Sequence, residues 1–188
     1  MNQNQNNPND PPWLCPETLG LVALLLQSHQ KYFGRPLLQA KGTRLAAQEL
    51  FILDQVILCH NGAEDPCFIY ANRAALNLFK RSWSEMVGLP SRLSASQQQR
   101  FDREKFLAQV KEKNWLDGYG GERINSQGER FQIRGAKLWN LIDAELHYRG
   151  QAACFSDWWW CGEPKPVRST EPKSSVHTLH NSIPFNDA

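Results

Sequence analysis

The chain has 188 residues, 41% of them hydrophobic, with seven Trp and nine Phe; that is enough apolar material for a packed core and excludes disorder throughout. Its 21 basic and 19 acidic residues interleave to a net charge of +2 without a dense basic stripe, which argues against nucleic-acid binding driven by charge. The longest apolar run, Leu19 to Leu26 with Gly20 inside it, is too short to cross a bilayer and follows no Lys or Arg, so neither a membrane span nor a signal peptide is expected. Five cysteines, odd in number and without a C-x-x-C pair, point to free thiols in a reducing, cytoplasmic setting.

Residues 1–13 begin as an Asn/Gln/Pro segment with nothing to bury and are expected to form a disordered arm. From Glu17 to Phe33 the pattern is helical, with Leu19, Val22, Leu26 and Phe33 near one face. Leu21, Leu24 and Leu25 widen the stripe, so this helix needs burial on more than one side, within its own domain or against a second copy. Gly34 and Pro36 stop it, and a second helix is predicted after Thr43 as N-cap. A strand VILC follows, with His60-Asn61-Gly62 as its turn, then a second strand CFIYA. Asn72 stands where strand becomes helix and can cap it; Ser82 and Glu85 have the spacing of a capping box for another short helix.

Gln97 to Lys113 reads as an amphipathic helix with Phe106, Leu107 and Val110 inward. GERINSQGERFQIR reads as a hairpin with Gln127-Gly128 at its tip, and the alternation blurs at Gly135, which predicts a bulge. A strand AKLWNLI turns at Asp143-Ala144-Glu145 into HYRGQAACF, where Tyr148, Ala152 and Cys154 are expected on one face and His147, Arg149 and Gln151 on the other. Trp158, Trp159 and Trp160 cannot all be buried on one strand face, so at least one is expected to cover a helix or a partner. Residues 14–160 thus form one α+β domain, an antiparallel sheet covered by helices, and 161–188 a disordered tail.

The block DPCFIYANRAALNLFKRSWSEMVGLPSRLSA resembles the strand-to-helix region of the MEKHLA domain, a PAS-like family, and SHQKYFGRPLL, GERINSQGERFQI, WNLIDA and GQAACF resemble the same family in the same order. The resemblance implies a PAS-like five-stranded antiparallel sheet with helices on one face, a small hydrophobic pocket and an N-terminal helical extension. Related domains end plant homeodomain–leucine zipper regulators and also occur as short stand-alone bacterial proteins, the type this length suggests. No homeodomain or zipper heptads are present, so DNA binding does not carry over.

Flavin and haem are disfavoured as cofactors. The Asn-Cys-Arg-Phe-Leu-Gln string of flavin photosensors is missing, although Gln151 sits on the last strand as a flavin-contacting Gln does, and the long helix carries no His. No metal site is expected, His177 and His180 having no Cys or carboxylate companion. The first strand of a PAS sheet lies between the second and the last, which makes Cys59, Cys67 and Cys154 weak redox candidates against ordinary core packing. No catalytic residue is assigned: Asp54, Asp65, Glu122 and Asp143 fall at turns or strand ends, where carboxylates cap or solvate. The ligand-pocket candidates are Phe68, Tyr70, Trp83, Phe106, Trp139, Gln151 and Phe155, a set that favours apolar and stacking contacts. The expectation is a non-catalytic sensory or regulatory domain that binds a small apolar ligand and signals through a protein partner or self-association, possible dimer formation included. The alternatives are a ligand-free dimerisation or interaction module and a small α+β isomerase.

Overall fold

The strand-forming segments assemble into one antiparallel sheet in the computed structural model, which describes residues 10–96 and 100–162, without the side chains of residues 100–103. The expected tail, with His177 and His180, and most of the expected arm lie outside the described residues. Strands β1 (Val56–Asn61), β2 (Phe68–Ala71), β3 (Trp115–Ile124), β4 (Arg130–Ile142), β5 (Tyr148–Phe155) and β6 (Asp157–Trp160) run in the spatial order β2-β1-β5-β4-β3, with β6 also on β4. Along β4, Lys137 faces Cys154 of β5 and Arg134 faces Asp157 of β6, so β6 continues β5 beyond a break at Ser156. The sheet is the expected five-stranded one with its last strand broken in two.

Helices α1 (Pro16–Phe33) and α2 (Thr43–Ile52) precede the sheet, α3 (Arg73–Phe79) and α4 (Trp83–Met86) follow β2, and α5 (Arg100–Lys113) precedes β3. Three local expectations change. Thr43 is the first residue of α2 rather than its cap, which is Gly42. His60 and Asn61 belong to β1, and Asn61 Oδ1 instead organises the loop beyond it by accepting from the Ala63 and Cys67 amides at 3.3 and 3.0 Å. Residues 10–13, read as part of a disordered arm, belong to the fold: Asp10 pairs with Arg44 at 2.7 Å and the Trp13 ring stacks on Phe51 at 3.8 Å.

Asn72 makes the junction between α2, β1 and α3, and its side chain is fully buried. Oδ1 accepts from the Ala75 amide at 3.1 Å, which caps α3, and from the Ile57 amide at 3.0 Å. Nδ2 donates to the carbonyls of Leu53 at 3.0 Å and Gln55 at 2.7 Å, with Leu50 at 3.4 Å. One amide thus satisfies donors at a helix start and acceptors at a helix end. Ser82 and Glu85 close the expected capping box, with the Ser82 amide 2.7 Å from Glu85 Oε2.

Both faces of the sheet are buried, by different helices. On the inner face α3, α4 and α5 enclose Val56, Leu58, Phe68, Phe79, Ile133, Leu138 and Phe155. On the outer face α1 and α2 bring Val22, Leu25, Ala47 and Leu50 against Ile57, Cys59, Tyr70, Trp139 and Cys154. The wide apolar surface of α1 is therefore used within its own domain.

Strand irregularities decide which side chain goes to which face. Tyr119 pairs with Ala136 and Gly121 with Ile133, so β4 carries one extra residue at the predicted Gly135 bulge. In β2 the pairing steps from Cys59–Tyr70 to His60–Phe68, so an extra residue at Ile69 sends Phe68 inward and Tyr70 outward. Near the start of β5, Gly150 at φ 143° lies so close to His60 that a Cβ there would stand 1.9 Å from its carbonyl oxygen. The β4–β5 register slips at the same place, between Leu141 and Ile142. Tyr148 therefore joins Gln151 on the α5 side, under Lys111 at 5.3 Å, instead of sharing a face with Ala152 and Cys154.

Replacing Asn72 by Ala removes the α3 cap and leaves buried carbonyls and amides without partners. The expected loss of stability is about 3 kcal/mol in urea unfolding. A loss below about 1 kcal/mol, the scale of one ordinary hydrogen bond, would contradict this role.

Candidate ligand cavity

Period-two alternation places Leu58 of β1, Ile133, Ala136 and Leu138 of β4, and Gln151, Ala153 and Phe155 of β5 on the inner face. Between them, Phe68, Phe79 and Leu107 of α5 lies a cavity of about 50 Å³. A drug-sized ligand needs roughly 300 Å³ or more, so such a molecule enters only if the cavity widens.

Beside the cavity an open cleft of about 500 Å³ runs between the β1–β2 loop and α5, past Glu64, Lys111 and Tyr148. His60, Leu107 and Gln151 border both spaces. Gln151 Nε2 donates to the Leu107 carbonyl at 2.9 Å and to Asn140 Oδ1 at 3.1 Å. Asn140 Nδ2 donates to the Lys111 carbonyl and to Asn114 Oδ1, both at 3.2 Å. Two sheet amides thus hold the last turns of α5: Lys111 is among the last four residues, whose carbonyls have no partner further along the helix, and Leu107 lies one turn earlier. Gln151 Oε1 is buried with no hydrogen-bond partner, an arrangement that is costly unless something else supplies a donor. The apolar anchoring of α5 is thin: of its described side chains only Val110 is fully buried, with Phe106 and Leu107 half-buried.

Of the pocket candidates read from the sequence, Phe68, Gln151 and Phe155 line the cavity. Phe106 stands beside it, edge-on to Tyr119 at 5.1 Å. Tyr70, Trp83 and Trp139 are elsewhere, in the outer cluster under α1 and α2. The β2 bulge turns Tyr70 away from Phe68, and Trp139 alternates with the inward Leu138. Trp83 packs edge-on to Tyr70 at 5.7 Å, next to Trp13 and Phe51. Leu107, read from the sequence as inward-facing but not as a pocket candidate, also lines the cavity, as do Phe79, Tyr119 and Arg123. Strict alternation of Tyr119, Gly121 and Arg123 along β3 was the signal available for the last two.

The cysteines do not form one cluster. Cys59 and Cys154 are diagonal neighbours on the outer face, through the pairs Cys59–Ala152 and Ile57–Cys154, whereas Cys67 lies in the loop before β2. Burial pushes the Cys59 thiol well above its ordinary range and Cys154 up to about 12, so both stay protonated and weakly nucleophilic.

The carboxylates considered for catalysis are at the surface: Asp54 is exposed, Asp65 pairs with Arg92 at 3.0 Å, Glu122 with Arg130 at 3.7 Å and Asp143 with Arg149 at 2.6 Å. Asp143, Glu145 and His147 bring ligand atoms within 4.8 Å of one another at the β4–β5 turn, where Arg149 already holds Asp143. The three tryptophans divide as alternation requires. Trp158 and Trp160 pack on Phe131 of the inner face at 6.0 and 5.8 Å, and Trp159 lies under Arg134 at 5.5 Å on the other side. No helix among the described residues is long and apolar enough to cross a membrane.

This sheet order, with a cavity between its inner face and three helices, defines a PAS-type α+β domain. The chain is similar in structure to a PAS domain from Colwellia psychrerythraea, with TM-score 0.53 and 12% identity over 59% of this chain and 92% of that one. It is similar to a light-oxygen-voltage domain studied with a flavin analogue, with TM-score 0.50 and 16% identity over 62% of this chain and 84% of that one. An RNA-binding light-oxygen-voltage receptor gives TM-score 0.54 and 15% identity, covering 65% of this chain and 35% of that one. At these identities the likeness is one of fold. The MEKHLA domain family model matches residues 19–160, and the chain belongs to that family. No curated protein sequence matches it.

Iodoacetamide treatment of the native protein, read by peptide mass spectrometry, should modify exposed Cys161 and half-buried Cys67 while sparing Cys59 and Cys154 until the protein unfolds. Rapid native labelling of either buried thiol would restore a redox role to the sheet cysteines.

Proposed function

We propose that this domain is a non-catalytic sensory or regulatory module that binds a small apolar ligand at the inner cavity and signals through protein–protein contact. The observation that carries the reading is the construction of the α5 wall. A helix with little apolar anchoring among its described side chains is held by Gln151 and Asn140, and Gln151 keeps a buried acceptor without a partner at the cavity. A ligand that engages this amide or widens the cavity changes how α5 is held, which converts occupancy into a surface change. A partner is best placed along the half-buried tryptophan strand β6. The free thiols support a reducing compartment as its setting.

The reading as a ligand-free dimerisation module rested mainly on the apolar character of α1, and that surface packs on α2 and the outer sheet face. The isomerase reading lacks support from a buried carboxylate among the described residues.

Native mass spectrometry and an absorption spectrum of the purified full chain test the proposal. A small molecule that co-purifies and is lost on denaturation is the expected result. A ligand-free dimer would instead favour the interaction module.

A further inference from the structure

The cavity wall contains a buried cation that no carboxylate among the described residues neutralises. Arg123 is 8% exposed and is the one buried arginine among the described side chains. Arg44, Lys80, Arg92, Arg130, Arg134, Lys137 and Arg149 each reach a carboxylate at the surface, and Arg123 reaches none among the described residues. Its nearest chain neighbour, Glu122, points to the other face and pairs with Arg130.

The position of the guanidinium follows from β3. Tyr119, Gly121 and Arg123 share the inner face, and the arginine folds back along the strand over Gly121. Its Nη2 donates to the Tyr119 hydroxyl and its Nη1 to the Glu122 carbonyl at 2.6 Å, with the Tyr119 ring centroid 5.4 Å away. A Cβ on Gly121 would lie 2.8 Å from the Tyr119 hydroxyl and 3.3 Å from Nη1, so the absent side chain leaves the space this pair fills. Two of the five N–H donors of a guanidinium are used in these bonds, and the remainder have no acceptor among the described residues. A largely buried cation of this kind gains from an anion that joins it, and the planar fork suits a carboxylate.

We propose that the ligand is an apolar molecule carrying one carboxylate, its acid group on Arg123 and Tyr119 and its apolar body along Phe79, Ile133, Leu138 and Phe155. Gln151 sets the direction: its unpartnered Oε1 would repel a carboxylate, so the acid belongs at the Arg123 end. This inference rests on the reading of the cavity as a ligand site and adds the chemical class.

The test is calorimetric titration of the full chain at pH 8 with octanoate and 4-phenylbutyrate, each against the corresponding alcohol. The expected result is that at least one acid binds about tenfold or more tightly than its alcohol, with that preference lost in Arg123→Gln. Gly121→Ala, which keeps the charge but displaces it, is expected to weaken acid binding in the same direction; it serves if Arg123→Gln fails to fold. Equal or weaker binding of the acids would overturn the carboxylate proposal while leaving the apolar-ligand reading intact. An acid preference that survives both substitutions would overturn the assignment to Arg123. No binding of any of the four compounds would overturn both readings.

Discussion

The fold depends on one buried amide. Between Leu53 and Arg73 the chain must end a helix, make two strands and begin another helix, and each change leaves backbone groups that water cannot reach. Asn72 answers them with a single side chain, its oxygen serving β1 and the start of α3 and its nitrogen serving the end of α2. An aspartate could supply the acceptor but no donor, and a serine could not span both sides. The junction also fixes where β1 starts, and with it which residues of the central strand face each helical layer.

The consequence is a sheet with two unlike faces. The outer face is closed by α1 and α2 over Trp139, Tyr70 and Leu141, all fully buried. Burying such side chains contributes roughly 2–3 kcal/mol each and fits a structural layer. The inner face is less complete, with a small void, an arginine without a carboxylate and a glutamine oxygen without a donor among the described residues. The outer face also keeps two buried polar atoms without a partner, Tyr70 Oη and Trp139 Nε1, so what sets the inner face apart is its void, and that is where a binding function has room to act.

Local chemistry with short reach was legible in the sequence: the Asn72 cap, the Ser82–Glu85 box, the hairpin tip at Gly128 and the bulge at Gly135. The family resemblance added the strand order. Assignment of aromatic residues to faces was not legible, because one extra residue in a strand reverses every later side chain. Ile69 carries no mark of a bulge, and so Tyr70 was grouped with Phe68. Gly150 was visible, but the close approach to His60 that makes it necessary depends on β1, far away in the chain. Arg123 went unnoticed for a different reason: an arginine in a hairpin reads as solvent-facing until β3 is known to place it beside Tyr119 and Phe131.

The division between a sealed outer face and a releasable inner wall is tested most directly by native-state hydrogen exchange, resolved by peptide along the chain. Amides of α1 should exchange with the sheet, near the global unfolding limit, and those of α5 several orders of magnitude faster through local opening. If α5 exchanges as slowly as β4 and β5 while α1 exchanges freely, the roles of the two faces are reversed and the account is wrong.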